Sequence, residues 1–409
     1  EFGVPQSPNR KYVYIVYCRR ITPGVARSDS YLRLSRFELL EDGSRTIDPN
    51  SESVLIQQYD PHRLHQGGAT FFGADDFLYV SVGDGASPND PFNLSQKLDV
   101  GLFAGVLRID VDQDLGRSHA IRRQPLDVPL PAYASPSYSQ GYTIPDDNPW
   151  LDPGGTILEE FYAIGLRSPH TMQLDPVSGE IWVGDVGQYA VEEVNMISKG
   201  GNYQWPFMEG TAIGPKPPPS PLVGPSTPPA HDYIRSEGGC VIGGFVYRGS
   251  AHAADLGGKY IFGDNRSGRI WSIDRPVSGP AQVELLLEYL PKGGDVVGIA
   301  NFCRDQAGEV HIMTLSGAND PNGTIHKLIK SAPSPDPPSL LSQTGVFSDT
   351  ANAVPASFLV PFEVNAALWS DRSHKKRWIA VPNDGSHDTA AERIKFNESE
   401  NWVFPEGTV

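Results

Sequence analysis

Three short apolar runs end in the same Gly-Asp pair: Phe77-Leu78-Tyr79-Val80-Ser81-Val82-Gly83-Asp84, Glu180-Ile181-Trp182-Val183-Gly184-Asp185 and Lys259-Tyr260-Ile261-Phe262-Gly263-Asp264. A fainter copy follows at Gly308-Glu309-Val310-His311-Ile312-Met313. Successive Gly-Asp landmarks lie roughly 100 and roughly 80 residues apart, about two repeats each at the ~40–50 residues of a propeller blade. Apolar runs this short, stopped by Gly, Asp and Pro, are strands rather than helices. Radial repetition of small sheets is one way an all-β chain avoids long exposed edges. The repeat therefore predicts an all-β chain built as a β-propeller, with part of its first blade upstream of Glu1.

Other strand-like runs begin at Lys11, Tyr31, Ser53 and Leu102, and later at Val241, Arg269, Val283, Val296 and Thr324. The 42 glycines and 37 prolines suit many strands joined by tight turns. Two polar, Pro-rich stretches, residues 112–150 and Thr211 to His231, are too long for hairpin turns and are expected to leave the sheet over a binding face. Residues 1–330 are read as the propeller and 331–340 (SAPSPDPPSL) as a semi-rigid linker. Residues 341–409 are read as a partial C-terminal β module, whose basic run His374-Lys375-Lys376-Arg377 is a solvated edge or turn. An opening at Glu1-Phe2-Gly3 without an initiator Met reads as a processed or truncated piece.

With 33 basic and 49 acidic residues the chain carries a net charge of -16, which argues against nucleic acid or an anionic membrane as partner. No apolar run approaches the ~20 residues of a membrane span. Cys18, Cys240 and Cys303 show no CxxC or CxxCH spacing, which excludes a zinc ribbon and covalent haem within the chain.

Loops at strand ends are where function usually sits, and the segment Leu158 to Gly210 carries an arginine and two glycine-flanked turns. His65, in His65-Gln66-Gly67-Gly68, is a candidate general base, because imidazole titrates near neutrality; a hydrogen-bonded histidine at a strand start is the alternative. Arg167, in Gly165-Leu166-Arg167-Ser168-Pro169, can clamp a carboxylate or make a surface ion pair. Gly187 and Gln188 close a turn whose carbonyls could ligate a hard cation such as Ca2+, or simply form a tight turn. Arg248, Arg266 and Arg269 make an anion site if they converge with Arg167 and aid solubility if they scatter. Asp110-Val111-Asp112-Gln113-Asp114 lacks the glycine and distal Glu of a calcium loop and is read as a turn.

Segments 62–84, 158–210, 238–249 and 259–271 together resemble the soluble glucose/sorbosone (aldose sugar) dehydrogenases that use pyrroloquinoline quinone. HQGG, YAIGLRSP, WVGDVGQ, EEVN, GGNYQWP, GGFVYRG and FGDNRSGRIW, in that order, carry the resemblance. It implies a six-bladed propeller with the quinone and a Ca2+ ion on its top face. By position, His65 matches the base that takes the sugar C1 hydroxyl proton while hydride passes to the quinone. Arg167 matches the arginine facing the reactive quinone oxygen, with Ser168 beside it where Asn is common. Gly187 and Gln188 match the carbonyl ligands of Ca2+. Arg248 falls where the family often has a Lys on the quinone carboxylates, and Arg266 and Arg269 fall in the segment supplying further arginines. Leu64 stands where an Asp or Asn often precedes the histidine. In this scheme the cofactor does the hydride chemistry, Ca2+ polarises the quinone carbonyl, and Arg167 stabilises the developing oxyanion.

The resemblance also implies a periplasmic or secreted sugar oxidoreductase. Residues 341–409 resemble a β module that lies between such propellers and a c-type cytochrome, which would make a haem the electron acceptor. Relatives of the hedgehog-interacting type keep the propeller without redox activity. A cofactor-free propeller acting as a carbohydrate- or protein-binding module is thus the competing reading, whereas a glycosidase lacks an identifiable carboxylate pair.

Overall fold

In the computed structural model the described residues are 11–21, 29–40, 46–62, 64–85, 88–127, 129–274, 281–288, 298–315, 323–330, 340–363, 376–382, 392–396 and 402–405, with a few single positions. The chain divides into two units, Glu1–Ile329 and Lys330–Val409. Positions 331–339 of the expected linker, and His374 and Lys375 of the basic run, lie outside the described residues.

The first unit is a series of small antiparallel sheets. The first sheet holds β1 (Tyr12–Arg20), β2 (Ser30–Glu38) and β3 (Ser53–Asp60), and the second β4 (Gly67–Phe72), β5 (Leu78–Val82), β6 (Gly105–Ile109) and β7 (Phe161–Ile164). The third holds β8 (Thr171–Leu174), β9 (Ile181–Asp185), β10 (Val191–Ile197) and β11 (His231–Ile234). The fourth holds β12 (Val241–Val246), β13 (Tyr260–Asp264), β14 (Arg269–Asp274) and β15 (Gln282–Glu288), and the fifth β16 (Gly298–Arg304), β17 (Val310–Leu315) and β18 (Thr324–Lys327). The leading strands of successive sheets, β1, β4, β8, β12 and β16, lie against one another in turn.

Residues 112–150 are only partly an excursion from the sheet. The two-residue strand Tyr138–Ser139 returns to pair with β3 and becomes the fourth strand of the first sheet. Within the same stretch, the Asp110 carboxylate accepts the main-chain N–H groups of Asp112, Gln113 and Asp114, which makes the acidic run a turn.

Why the repeated runs are apolar throughout, rather than alternating, follows from what flanks them. Side chains of a strand point alternately to its two faces, and here both faces are covered by a neighbouring sheet. Ile181 and Val183 enter the cluster shared with the second sheet, whereas Trp182 between them enters the cluster shared with the fourth. Tyr260 and Phe262 face the third sheet and Ile261 the fifth. Trp182 stacks on Tyr260 across that boundary, with ring centroids 4.4 Å apart, a pair worth ~0.5–1.5 kcal/mol beyond its burial. Truncating the fully buried Phe262 to Ala would cost about 3–5 kcal/mol. Where the third and fourth sheets approach, Gly184 faces Gly243, and a side chain on either would collide with the other's backbone.

The second unit contains short ribbons, Phe347–Asp349 with Val354–Pro355 and Val360–Pro361 with Trp378–Ile379. Phe347 meets Trp378 edge to face at 6.4 Å.

Candidate functional site

At one end of the sheets, each Gly-Asp pair that closes a second strand faces the segment entering the first strand of its own sheet. The Asp185 carboxylate accepts from the main-chain N–H groups of Arg167 at 2.8 Å and Ser168 at 2.5 Å. Asp264 likewise accepts from Gly239 at 2.8 Å and Cys240 at 2.7 Å. The repeat is thus a strand-end clamp, in which a carboxylate satisfies main-chain donors that the sheet ladder leaves over.

Asp84 uses the same position differently. Its Oδ1 lies 2.8 Å from His65 Nδ1, and its Oδ2 accepts from the indole Nε1 of Trp205 at 2.9 Å. His65 has a φ of 57°, in the left-handed region, where a non-glycine residue stores ~1–3 kcal/mol of strain. That backbone is accommodated because position 83 is glycine: a methyl group there would overlap the His65 carbonyl oxygen. Asp84 is only 2% exposed. Because a carboxylate only accepts hydrogen bonds, the imidazole proton sits on Nδ1 and the Nε2 lone pair is left for chemistry.

Arg167, 8% exposed, meets Asp84 through the main chain, its carbonyl accepting the Asp84 N–H at 2.9 Å. Its guanidinium lies 5.4 Å from the Trp205 ring centroid, and its Nη1 donates to the carbonyls of Val186 at 2.7 Å and Gly187 at 2.8 Å. Its Nε is buried without a partner. Ser168 contributes its main chain, through the bond to Asp185. Gln188 reaches away from the arginine and exchanges two 2.7 Å hydrogen bonds with Asn89. Two carboxylates hold the Gly187-Gln188 turn: Glu192 accepts the Gly187 N–H at 3.3 Å and Glu209 the Gln188 N–H at 2.6 Å.

The expected arginines do not all converge. Arg248 sits beyond the far end of β12, where Nε and Nη2 donate to Asp175 at 3.0 and 2.5 Å. Arg167 enters β8 and Asp175 leaves it, so the strand's length separates Arg248 from His65 and Arg167. Arg266 and Arg269 instead line a depression of about 400 Å³ with Arg235, Glu237 and Glu288. Glu192 links it to the first cluster, binding Arg235 as well as the Gly187 N–H. A second depression, of about 280 Å³, lies between Asp90, Gln96 and Pro206 on one side and the proline-rich Lys216-Pro217 segment on the other.

Buried acids surround the site. Burial pushes the Asp60 carboxyl up to about 8 against hydrogen bonds from His62 and Gln66, and pushes Glu192 up to about 7. Asp185 and Glu193 are direct cross-strand partners. Burial raises both; the Asp185 charge raises Glu193 further, and the Asp84 charge raises Asp185. From sequence, Asp84 was visible only as a repeat landmark and Trp205 only as part of a turn. Their meeting across 121 residues has no local signature.

The sequence model of the Glucose / Sorbosone dehydrogenase family matches residues 139–275. HIPL1 protein of Arabidopsis thaliana is 30% identical over 236 residues, covering 53% of this chain and 31% of that protein. Human Hedgehog-interacting protein is 26% identical over 317 residues, covering 74% and 38%. Quinoprotein glucose dehydrogenase B of Acinetobacter calcoaceticus is 34% identical over 68 residues, covering 17% and 13%. The chain thus spans about a third of the length of the first two, 31% and 38%. Among solved structures, a glucose dehydrogenase superposes with a TM-score of 0.55 at 20% identity, covering 81% of each chain. No helix among the described residues is long and apolar enough to cross a membrane. The fold is a β-propeller of the kind found in sugar dehydrogenases, and the resemblance to the glucose/sorbosone dehydrogenase family read from the sequence holds.

Proposed function

We propose that the chain oxidises an aldose or related sugar at its C1 hydroxyl, with pyrroloquinoline quinone as hydride acceptor. The observation that carries this reading is the His65–Asp84 pair beside the buried Arg167. His65 Nε2 takes the hydroxyl proton as the C1 hydrogen departs with its electron pair. That general-base step is worth ~10²–10⁴ in rate, and Asp84 holds the ring in the Nδ1–H tautomer and stabilises the imidazolium that forms. A bound quinone supplies the hydride acceptor. The residues fit such a planar anion: Arg167 Nε is a buried donor without a partner, and Arg266 provides a cation in the depression beyond Glu192, where Arg269 is already paired with Glu288. Arg167 stabilises negative charge that develops near it.

The proposed Ca2+ ligands do not fit a divalent ion as the side chains stand. The Gly187 carbonyl accepts from the Arg167 guanidinium at 2.8 Å, a cation where a second cation would have to sit. The nearby Glu192 and Glu209 face the N–H side of that turn. We read the propeller as six-bladed, the protein as periplasmic or secreted, and a c-type cytochrome as the acceptor of the electrons.

Dye reduction with a panel of aldoses, after addition of quinone, tests the proposal on wild type and His65→Gln. Turnover that falls ~10²-fold or more in the variant supports it; absence of both turnover and quinone binding in the wild type would sink it. A cofactor-free binding propeller is the second reading. The engagement of Arg248 by Asp175 and the likeness to Hedgehog-interacting protein favour it. It predicts saccharide or protein binding that His65→Gln leaves unchanged.

A further inference from the structure

We infer that Trp205 is a positioning residue that ties the base to the arginine. The inference rests on the dehydrogenase reading for its consequence in turnover, though not for its structural content. Trp205 is 1% exposed and follows the third sheet's β10, whereas Asp84 and His65 belong to the second sheet. Its indole N–H donates to Asp84 Oδ2 at 2.9 Å, while His65 Nδ1 bonds Oδ1. The face of the same ring carries the Arg167 guanidinium at 5.4 Å, within the range where a cation is held by an aromatic face. One side chain therefore touches both halves of the site.

Trp205 is itself fixed by its main chain. Its N–H donates to Gly165 at 3.0 Å and its carbonyl accepts from Gln96 Nε2 at 2.7 Å. Among the described residues, the charged groups around Asp84 include His65 and Arg167 together with the acids Asp60, Asp90 and Asp185, whose ionisation its charge disfavours. A neutral N–H satisfies the second oxygen without adding a cation that would compete with the imidazolium. It also stops the carboxylate rotating away from Nδ1, which keeps the proton on that nitrogen and the lone pair on Nε2.

Two measurements separate this role from simple packing. In ligand-free protein labelled with ¹⁵N-histidine, His65 is expected as the Nδ1–H tautomer, and Trp205→Phe is expected to give a mixture of tautomers while remaining folded. In the loaded enzyme the same variant should lose about tenfold to a hundredfold in kcat, the rate equivalent of one charge-assisted hydrogen bond, with KM within about twofold. If Trp205→Phe does not fold, the wild type still decides. The Trp205 indole N–H resonance must exchange slowly and shift with pH in step with the His65 ring, because Asp84 connects them. An unchanged His65 tautomer in the variant, or an indole resonance that ignores the His65 titration, overturns the assignment. A tautomer shift without any wild-type turnover would leave the positioning role standing and reject the dehydrogenase reading instead.

Discussion

Replacing Arg248 by Met separates what holds the fold from what serves the site. Arg248 grips both oxygens of Asp175, whose side chain is 0% exposed. Burial pushes the Asp175 carboxyl up, but hydrogen bonds from Arg248 and Ser178 more than offset it and hold it at about 2. Measured from an ordinary carboxylate near 3.9, a depression of about two units corresponds to ~2–3 kcal/mol. Met keeps the methylene packing, and the Ser178 donors remain, so a net loss of about 2 kcal/mol is expected. In a protein of this size that lowers Tm by about 2–3 °C. A group whose folded pKa is depressed stabilises above its unfolded value and loses that contribution as pH falls through the folded one. The Tm gap between wild type and Arg248→Met, followed by circular dichroism, should therefore be full at pH 7 and shrink as pH drops from about 4 toward 2. Quinone binding, followed by tryptophan fluorescence, should change less than about twofold, since no step of the proposed chemistry involves this arginine. Unchanged Tm with quinone binding abolished would refute the placement of Arg248 and return it to the cofactor.

Gly83→Ala should lower stability by about 1–3 kcal/mol and turnover by about tenfold or more, because the added methyl collides with the His65 carbonyl; an equally stable, fully active variant contradicts the close approach. Asp60 is raised to about 8 by burial, so its folded form favours the proton, and wild type loses stability relative to Asp60→Asn as pH rises from about 4 to about 8. Thermal scans across that range should show the Tm difference growing with pH, and a flat difference would contradict the assignment. Millimolar Ca2+ without quinone should leave Tm unchanged, because Arg167 already engages the Gly187 carbonyl; a saturable rise in Tm would show that the arginine yields.

The parts of the molecule legible in sequence are those encoded by near neighbours. Runs such as Lys259 to Asp264 announce a strand because both faces are buried and the stop residues are adjacent. Strand β10 was hidden by Glu192 and Glu193, two acids that only tertiary partners make tolerable inside. The tie between the Tyr138–Ser139 strand and β3 was hidden by the proline-rich chain around it. At the site, His65 and Arg167 were marked by their glycine-flanked turns, whereas Asp84 and Trp205 acquire meaning only once two sheets are side by side. Arg248 shows the opposite case: its position in a motif was legible, but the end of the strand at which it meets Asp175 was not.

The strand-end clamp gives this architecture a form of versatility. Asp84, Asp185 and Asp264 occupy equivalent corners, and two of the three bind nearby main chain that any residue could provide. Only at Asp84 does a left-handed residue, with glycine beneath it, bring a ring to the carboxylate in place of an amide. A corner that elsewhere merely fastens thus becomes half of a proton-transfer pair through one change of backbone hand. The unused corners at Asp185 and Asp264 are where the same change could install a second one.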